Sequence, residues 1–240
     1  IHERLVGSEM CIRDRLPGPP APVTIDEAYR APLGMRTERP WVGLCMVASI
    51  DGSTAVDGAS AGLGNANDSA VLKQLRSIAD VIIVGAGTAR AEGYGPPSKP
   101  GQRIGVVTAS GRVDVDRPLF TSGAGFLITT TTAAIPASVD AVRAGDRAVD
   151  LVAALSGLGT VGDEPRVVQC EGGPSLNGAL FARDLVDEIN ITTSPLVVGG
   201  ECGRHRGQQE DRQDHREAHV RRARPRSRDE PGADREPDRG

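Results

Sequence analysis

Val81-Ile-Ile-Val-Gly-Ala-Gly-Thr88 is the stretch from which the rest of the chain can be read. Four consecutive β-branched residues fit a strand buried on both faces, as parallel strands of α/β proteins are. Gly85 and Gly87 let the backbone turn at the strand's carboxyl end without a Cβ in a ligand's way. Thr88 is expected to cap a following helix, whose free N–H groups would then face the same crevice. Helix N-termini offer unpaired donors and partial positive charge, which suits phosphate. Taken alone, the stretch reads equally as an ordinary strand-to-helix turn. The full dinucleotide fingerprint Gly-x-Gly-x-x-Gly fails, because Arg90 stands at its third glycine.

A second junction of the same kind lies downstream. Arg166-Val-Val-Gln-Cys170 reads as a strand and Glu171-Gly-Gly-Pro-Ser175 as its exit, with Pro174 suited to a first helical turn. A helix over residues 174–184 would turn Leu176, Leu180 and Phe181 inward. Two glycine corners on one sheet point to a dinucleotide, which has two phosphates to hold.

The 240 residues carry a net charge of −4 and are 38% hydrophobic, enough for one sizeable core or two small ones. Aromatics make up only 2%, which argues against base-stacking nucleic-acid platforms. No apolar run is long enough to span a bilayer, and residues 1–15 lack the apolar centre of a signal peptide. Cys11, Cys45, Cys170 and Cys202 form no Cys-x-x-Cys pair, so neither zinc nor a disulfide framework is expected. These features predict a reduced, cytoplasmic protein without nucleic-acid or membrane partners.

Both ends differ from the middle. Residues 6–15 read as translated sequencing-adapter DNA, and the Pro-rich lead-in 16–22 precedes a short helix capped by Thr24. From residue 201 to 240 no Leu, Ile, Phe or Met occurs, while Arg alternates with Asp and Glu, so the segment buries too little apolar surface to order itself. A reading-frame error in a GC-rich gene accounts for that change better than a nucleic-acid arm does. The expected organisation is a lead-in over 1–38, a domain over 39–200 and a disordered tail over 201–240.

Within the domain, residues 41–50 read as a central strand ending at Asp51-Gly52. Asp51 is either a catalytic carboxylate or the side chain of an Asp-Gly turn. A helix over 69–78, capped by Asn67 or Asp68, carries Val71, Leu72, Leu75 and Ile78 as its apolar stripe. Arg76 lies off that stripe, as a solvated cation or an anion ligand. Glu92 follows the first glycine corner closely and would overhang the crevice. Residues 104–108 and 125–129 read as further strands, the first leading to Ser110 and Arg112, a phosphate clamp or a plain polar loop. A helix over 149–155 and a further strand or strand pair over 188–193 and 196–198 complete an α/β pattern.

The set Ala48-Ser-Ile-Asp-Gly52, Gly85-Ala-Gly-Thr88, Glu171-Gly-Gly173 and Ser194-Pro-Leu-Val-Val-Gly-Gly200 resembles the riboflavin-biosynthesis pyrimidine reductase family. The likeness spans residues 39–200 and is closest to stand-alone actinobacterial-type members. It implies a dihydrofolate-reductase-like three-layer fold around a mostly parallel sheet, here cut short at its C-terminal hairpin, and homodimers. It also implies hydride transfer from NADPH to C1′ of a ribosylaminopyrimidine 5′-phosphate. By the resemblance, Gly85, Gly87, Thr88, Thr129, Gly172 and Gly173 lie along the cofactor, with Ser110 and Arg112 at its 2′-phosphate. Ser60, Arg76 and Glu171 match substrate-binding positions, Arg76 chiefly at the phosphate, and Glu92 and Asp51 match acids near the reacting ribose. Cys45 stands where bifunctional members carry Lys, and the Pro-Cys-x-x-Cys pattern of a zinc deaminase is absent. A pterin or dihydrofolate reductase, or a nucleotide-binding module without turnover, are the alternatives.

Overall fold

The computed structural model describes residues 24–32 and 34–199. Seven strands run through them: β1 (Trp41–Ser49), β2 (Val81–Gly85), β3 (Arg103–Val107), β4 (Gly125–Thr129), β5 (Ala141–Arg143), β6 (Val167–Cys170) and β7 (Glu188–Ser194). They form one sheet in the order β5-β4-β3-β2-β6-β1-β7. Every pair in it is parallel. This arrangement explains the unbroken apolar runs: a parallel sheet is covered on both faces, so no alternation with polar residues is needed.

Six α-helices accompany the strands: α1 (Ile25–Ala28), α2 (Ala66–Ile78), α3 (Ala86–Ala91), α4 (Pro118–Thr121), α5 (Leu151–Ser156) and α6 (Pro174–Phe181). On one face Val42, Leu44, Ile83, Phe126, Ile128, Val168 and Cys170 pack with Leu151, Leu155, Leu176 and Leu180 of α5 and α6. On the other, Ile82, Val84, Ile104, Val106 and Leu127 pack with Leu119 of α4 and Ala86 and Ala89 of α3. The result is the expected three-layer α/β architecture. In β2, Ile82, Ile83 and Val84 are at most 1% exposed. Burying a side chain of this size contributes about 1.5–3 kcal/mol, an upper bound given residual compactness of the unfolded chain.

The lead-in is tied to the sheet by a buried acid. The Asp187 carboxylate accepts from Arg36 Nε at 2.7 Å, from Arg39 at 2.5 and 2.9 Å, and from the Val42 backbone N–H at 2.9 Å. Such a carboxylate is tolerated in the interior because its acceptor sites are filled by paired cations and a backbone donor.

Several local expectations shift. Helix α2 begins earlier, at Ala66, because Asn65 rather than Asn67 or Asp68 accepts the first free N–H groups. Helix α3 begins directly at the strand's end with Gly85 as its N-cap, so Thr88 sits inside the helix and caps nothing. Helix α6 stops at Phe181, a residue 39% exposed rather than turned inward. Residues 196–198 form no strand, and the short edge strand β5 was not foreseen. Thr24 does cap α1, with Glu27 completing a capping box. The tail assigned to 201–240 and the adapter-like run lie outside the described residues.

Candidate active site

The carboxyl ends of the parallel strands place both glycine corners side by side. Gly85 N–H donates to the Gly172 carbonyl at 2.6 Å, and Glu171 N–H to the Ile83 carbonyl at 3.0 Å. A Cβ on Gly85 would sit 3.3 Å from the Gly173 nitrogen, and one on Gly173 would sit 2.5 Å from Thr88 Oγ1. Gly172 has φ +83°, a left-handed conformation that side-chain-bearing residues rarely adopt. The two corners are therefore packed closely at Gly85, Gly172 and Gly173, whereas Gly87 faces open space.

Two clefts open from this seam. One, of about 390 Å³, is lined by Cys45, Met46, Thr54, Ser60, Asp68, Leu72, Glu92, Tyr94 and Glu171. The other, of about 540 Å³, runs along Gly85, Ala86, Val107, Thr108, Ala109, Ser175, Leu176 and Arg183. Gly87, Thr88, Gly173 and Pro174 line both. A single elongated ligand crossing the seam would touch each cleft.

The first cleft has an acidic wall. Glu171, at the end of β6, receives Arg76 Nε on Oε1 and Arg76 Nη2 on Oε2, each at 2.6 Å, and Tyr94 Oη on Oε2 at 2.5 Å. Its side chain is 4% exposed, against 33% for Arg76. The Arg76 guanidinium also lies 5.5 Å from the Tyr94 ring centroid, within cation–π range. Burial, then the Glu171 carboxylate, push the Tyr94 phenol well above its ordinary range. Burial, then Glu171 and Asp68, push the Cys45 thiol up to about 12, so it stays protonated at neutral pH.

Glu92 lines the same cleft and accepts the Ser60 backbone N–H on Oε1 at 2.6 Å. The contact brings two expected site residues together and fixes the 57–62 loop against α3. Asp68 lines the cleft too, and among the described residues its carboxylate accepts no hydrogen bond. Among the described residues the cleft's lining contains no Lys or Arg.

A family model described as the RibD C-terminal domain matches residues 40–227. The chain belongs to the RibD C-terminal domain family. It is 29% identical over 181 residues to the 2,5-diamino-6-ribosylamino-4(3H)-pyrimidinone 5′-phosphate reductase of Methanothermobacter thermautotrophicus, covering 69% of this chain and 82% of that one. The protein of the same name from Aquifex aeolicus is 31% identical over 183 residues, covering 68% and 80%. Among solved structures, a pyrimidine reductase-like protein from Corynebacterium diphtheriae superposes with TM-score 0.57 at 25% identity, over 66% of this chain and 76% of that one. The riboflavin biosynthesis reductase of Saccharomyces cerevisiae superposes at 0.56, with 23% identity over 69% and 78%, a likeness of fold.

In this RibD C-terminal domain Ser60, Glu92, Glu171, Gly87, Thr88 and Gly173 line one cleft. Others fall elsewhere. Asp51 is exposed and lines neither cleft; it accepts Ser49 Oγ at 2.5 Å and the N–H groups of Val198 and Gly199 at 3.2 and 2.8 Å, the Asp-Gly turn reading of that residue. Thr129, expected along the cofactor, is fully enclosed beneath the sheet's end and lines neither cleft. Ser110 and Arg112 are exposed just beyond Ala109, which does line the second cleft, and Ser110 Oγ accepts the Arg112 N–H at 3.3 Å. Arg76 backs Glu171 and is not in the cleft's lining. Sequence reasoning missed Asp68 and Tyr94 as site residues. Asp68 stands where the pattern predicts a helix cap, and Tyr94 meets Glu171 across 77 positions, a distance at which no local pattern is visible.

Proposed function

We propose that this chain is an NADPH-dependent reductase of a phosphorylated ribosylaminopyrimidine, converting its ribosyl group to a ribityl chain. The observation that carries this reading is the seam: two clefts joined at Gly87, Thr88, Gly173 and Pro174, where one elongated ligand would touch both. The second cleft suits a dinucleotide, because glycine at Gly85 and Gly173 leaves no Cβ to crowd the corner and so lets a pyrophosphate approach the backbone. Gly85, Gly87, Thr88, Gly172 and Gly173 would hold the cofactor, with Ser110 and Arg112 within reach of an adenosine 2′-phosphate just past Ala109. When bound, the nicotinamide supplies the hydride.

The chain's own residues do the rest by orientation. Ser60 and Glu171 flank the pyrimidine and ribose, while Asp68 offers an open acceptor for exocyclic amino groups of the kind named in the two curated relatives. Glu92 Oε2 makes no hydrogen bond among the described residues and is the acid placed to protonate the ribose ring oxygen as the sugar opens. Holding the reacting carbon at near-attack distance accounts for about 7–11 kcal/mol of barrier lowering in well-oriented systems.

A cleft lined by Asp68, Glu92 and Glu171 without a cation also favours a second substrate class, an unphosphorylated amino-heterocycle such as dihydrofolate or another pterin. NADPH binding followed by fluorescence, then NADPH oxidation with a ribosylaminopyrimidine 5′-phosphate and with dihydrofolate, separates the readings. Oxidation with the first supports the leading one, oxidation with dihydrofolate alone replaces it, and binding without oxidation leaves a nucleotide-binding module.

No helix among the described residues is long and apolar enough to cross a membrane. We place the protein in the cytoplasm as a homodimer. The edge strand β7 exposes Ile189 at 40% and Ile191 at 61%, beside Leu196 and Val197 at 44% and 62%, a strip that a second copy would cover. Sedimentation at micromolar concentration tests the dimer.

A further inference from the structure

A third recess, of about 150 Å³, lies behind α3. Its floor is Val106 of β3 and Leu119 of α4, 0% and 2% exposed, and Arg90 and Arg117 stand at its rim. Val106 packs with α3 and α4, whereas its neighbour Val107 packs on the α5 and α6 face and lines the second cleft. Successive strand residues point to opposite faces, so β3 itself separates the two spaces. The recess shares only Tyr94 with the first cleft and only Ala86 with the second.

Close packing normally fills a space of this size in a core. An apolar cavity of about 150 Å³ holds one benzene ring. Tyr94 and Phe120, one of the chain's two tyrosines and one of its three phenylalanines, both line the recess. They offer the offset and edge-to-face contacts that a flat ring prefers. The rim adds charge. Among the described residues, neither the Arg90 nor the Arg117 guanidinium makes a hydrogen bond or an ion pair. Asp114 is the acid in the lining, and it accepts the Asp116 N–H at 3.2 Å. Two cations against one acid leave a positive charge, without a partner, above an apolar floor.

We propose that this recess binds a small aromatic carboxylate, its ring inward against Val106 and Leu119 and its anion outward between Arg90 and Arg117. A guanidinium fork matches the two oxygens of a carboxylate, so the rim fixes the anion while the floor limits the body to one ring. The site does not depend on the reductase reading. It bears on the two clefts through α3, six residues long, which carries Thr88 to the seam and Ala89 and Arg90 to the recess. Ligands on opposite sides of so short a helix share its position, and each biases the other's affinity by one common factor.

Calorimetric titration with benzoate tests the site, with benzamide as the neutral isostere and acetate as the anion without a ring. Benzoate should bind wild type with a Kd of about 1 mM, and benzamide and acetate each about 10-fold or more weakly. Arg117→Gln, outside both clefts, should weaken benzoate about 10-fold and leave benzamide within about 2-fold, because only charge-assisted bonds are lost. Ala89→Phe fills the recess with a ring of the protein's own and should abolish benzoate binding. Where that variant melts early, Arg117→Gln and benzamide decide alone. Benzoate and benzamide binding equally well would overturn the proposal. So would a benzoate affinity that Arg117→Gln and Arg90→Gln both leave unchanged, or the lack of saturable binding up to about 20 mM.

Repeating the titration at rising NADPH separates the recess from the second cleft. Two coupled sites give a benzoate affinity that levels off once NADPH saturates, within about 10-fold of its starting value. An affinity that keeps falling in proportion to NADPH would put benzoate in the second cleft and sink the proposal. Should NADPH not bind at all, the reductase reading fails, and the benzoate, benzamide and variant titrations still decide the recess.

Discussion

The two clefts that meet at the glycine seam are built from different materials. The dinucleotide side turns on glycine backbone at its corner, a 2.6 Å bond between Gly85 and Gly172 with little room for a Cβ at Gly85 or Gly173, flanked by side chains such as Val107, Leu176 and Arg183. The substrate side is made of side chains brought from four elements, Arg76 from α2, Tyr94 from the loop after α3, Glu171 from the end of β6 and Cys45 from β1. Backbone sites depend on what is missing at a position, and any side chain damages them. Side-chain sites depend on mutual support, so damage spreads through the partners and stays on one side of the seam.

The sharpest way to break that contrast is Gly85→Val. Its branched side chain would press on the Gly173 nitrogen, only 3.3 Å from the nearest Cβ position, and pry open the corner. NADPH affinity should fall by about 100-fold or more, since backbone that must shift at a pyrophosphate site loses several oriented donors together. Calorimetric titration with NADPH checks this, and a loss below about 5-fold would mean the seam is not where the cofactor sits.

Glu171→Gln tests the other side. It leaves the Arg76 charge without its partner, which for a half-buried pair costs about 2 kcal/mol after discounting for Arg76's exposure. Turnover should fall about 100-fold while NADPH affinity stays within about 3-fold of wild type. A parallel collapse of cofactor binding, measured by the same titration, would show that the clefts are not independent. Asp68→Asn removes only an open acceptor's charge and should raise KM about 10-fold with little change in melting temperature. An unchanged KM would remove Asp68 from substrate recognition.

The same contrast explains what could be read before the fold was known. Glycine corners are local: Val81–Gly85 and the run from Val167 to Gly173 each announce a buried parallel strand and its exit, and both strands form as expected. Helix boundaries were read less well, because the choice of Asn65 over Asn67 as cap depends on which N–H groups the turn aims at its side chain. Strand β5, three residues with one buried side chain, gives no apolar run to detect. The Arg76–Glu171–Tyr94 contact is out of reach of sequence, since Arg76 off a helical stripe looks like a solvated cation until β6 places Glu171 beside it. Thr129 shows the converse: a hydroxyl at the tip of a strand is suggestive in sequence, yet packing encloses it completely.

Alkaline pH probes the interior on both sides of the sheet. Cys45 and Cys170 both have thiols pushed up to about 12, burial being the first cause in each. In the unfolded chain they release protons near their ordinary value of 9.0. Between pH 9 and 12 the native state therefore holds more protons than the unfolded one, so stability falls as pH rises through that window. The loss should be about 1 kcal/mol per thiol by pH 10. Urea unfolding at pH 8 and pH 10 measures it, and replacing Cys45 by Ala should remove about half of the pH dependence. No change on replacement would mean that the thiol is open to solvent.

The smallest effect is expected at Asp51, where sequence alone allowed two roles. Its carboxylate holds Ser49 Oγ and the Val198 and Gly199 N–H groups, and these bonds lower its pKa, the Ser49 hydroxyl most of all. The stability this confers is present above the ordinary carboxylate range and is lost as pH falls through the lowered native value. Asp51→Asn keeps an acceptor oxygen and gives up the charge, so kcat/KM should stay within about 3-fold of wild type. Amide exchange at Val198 and Gly199 should quicken, because their acceptor is weaker. A drop of about 100-fold in kcat, with exchange unchanged, would instead assign Asp51 to the chemistry. An exposed turn residue outside both clefts would then be reaching the reacting ribose, and the division of labour at the glycine seam would have to be redrawn around the β1 end.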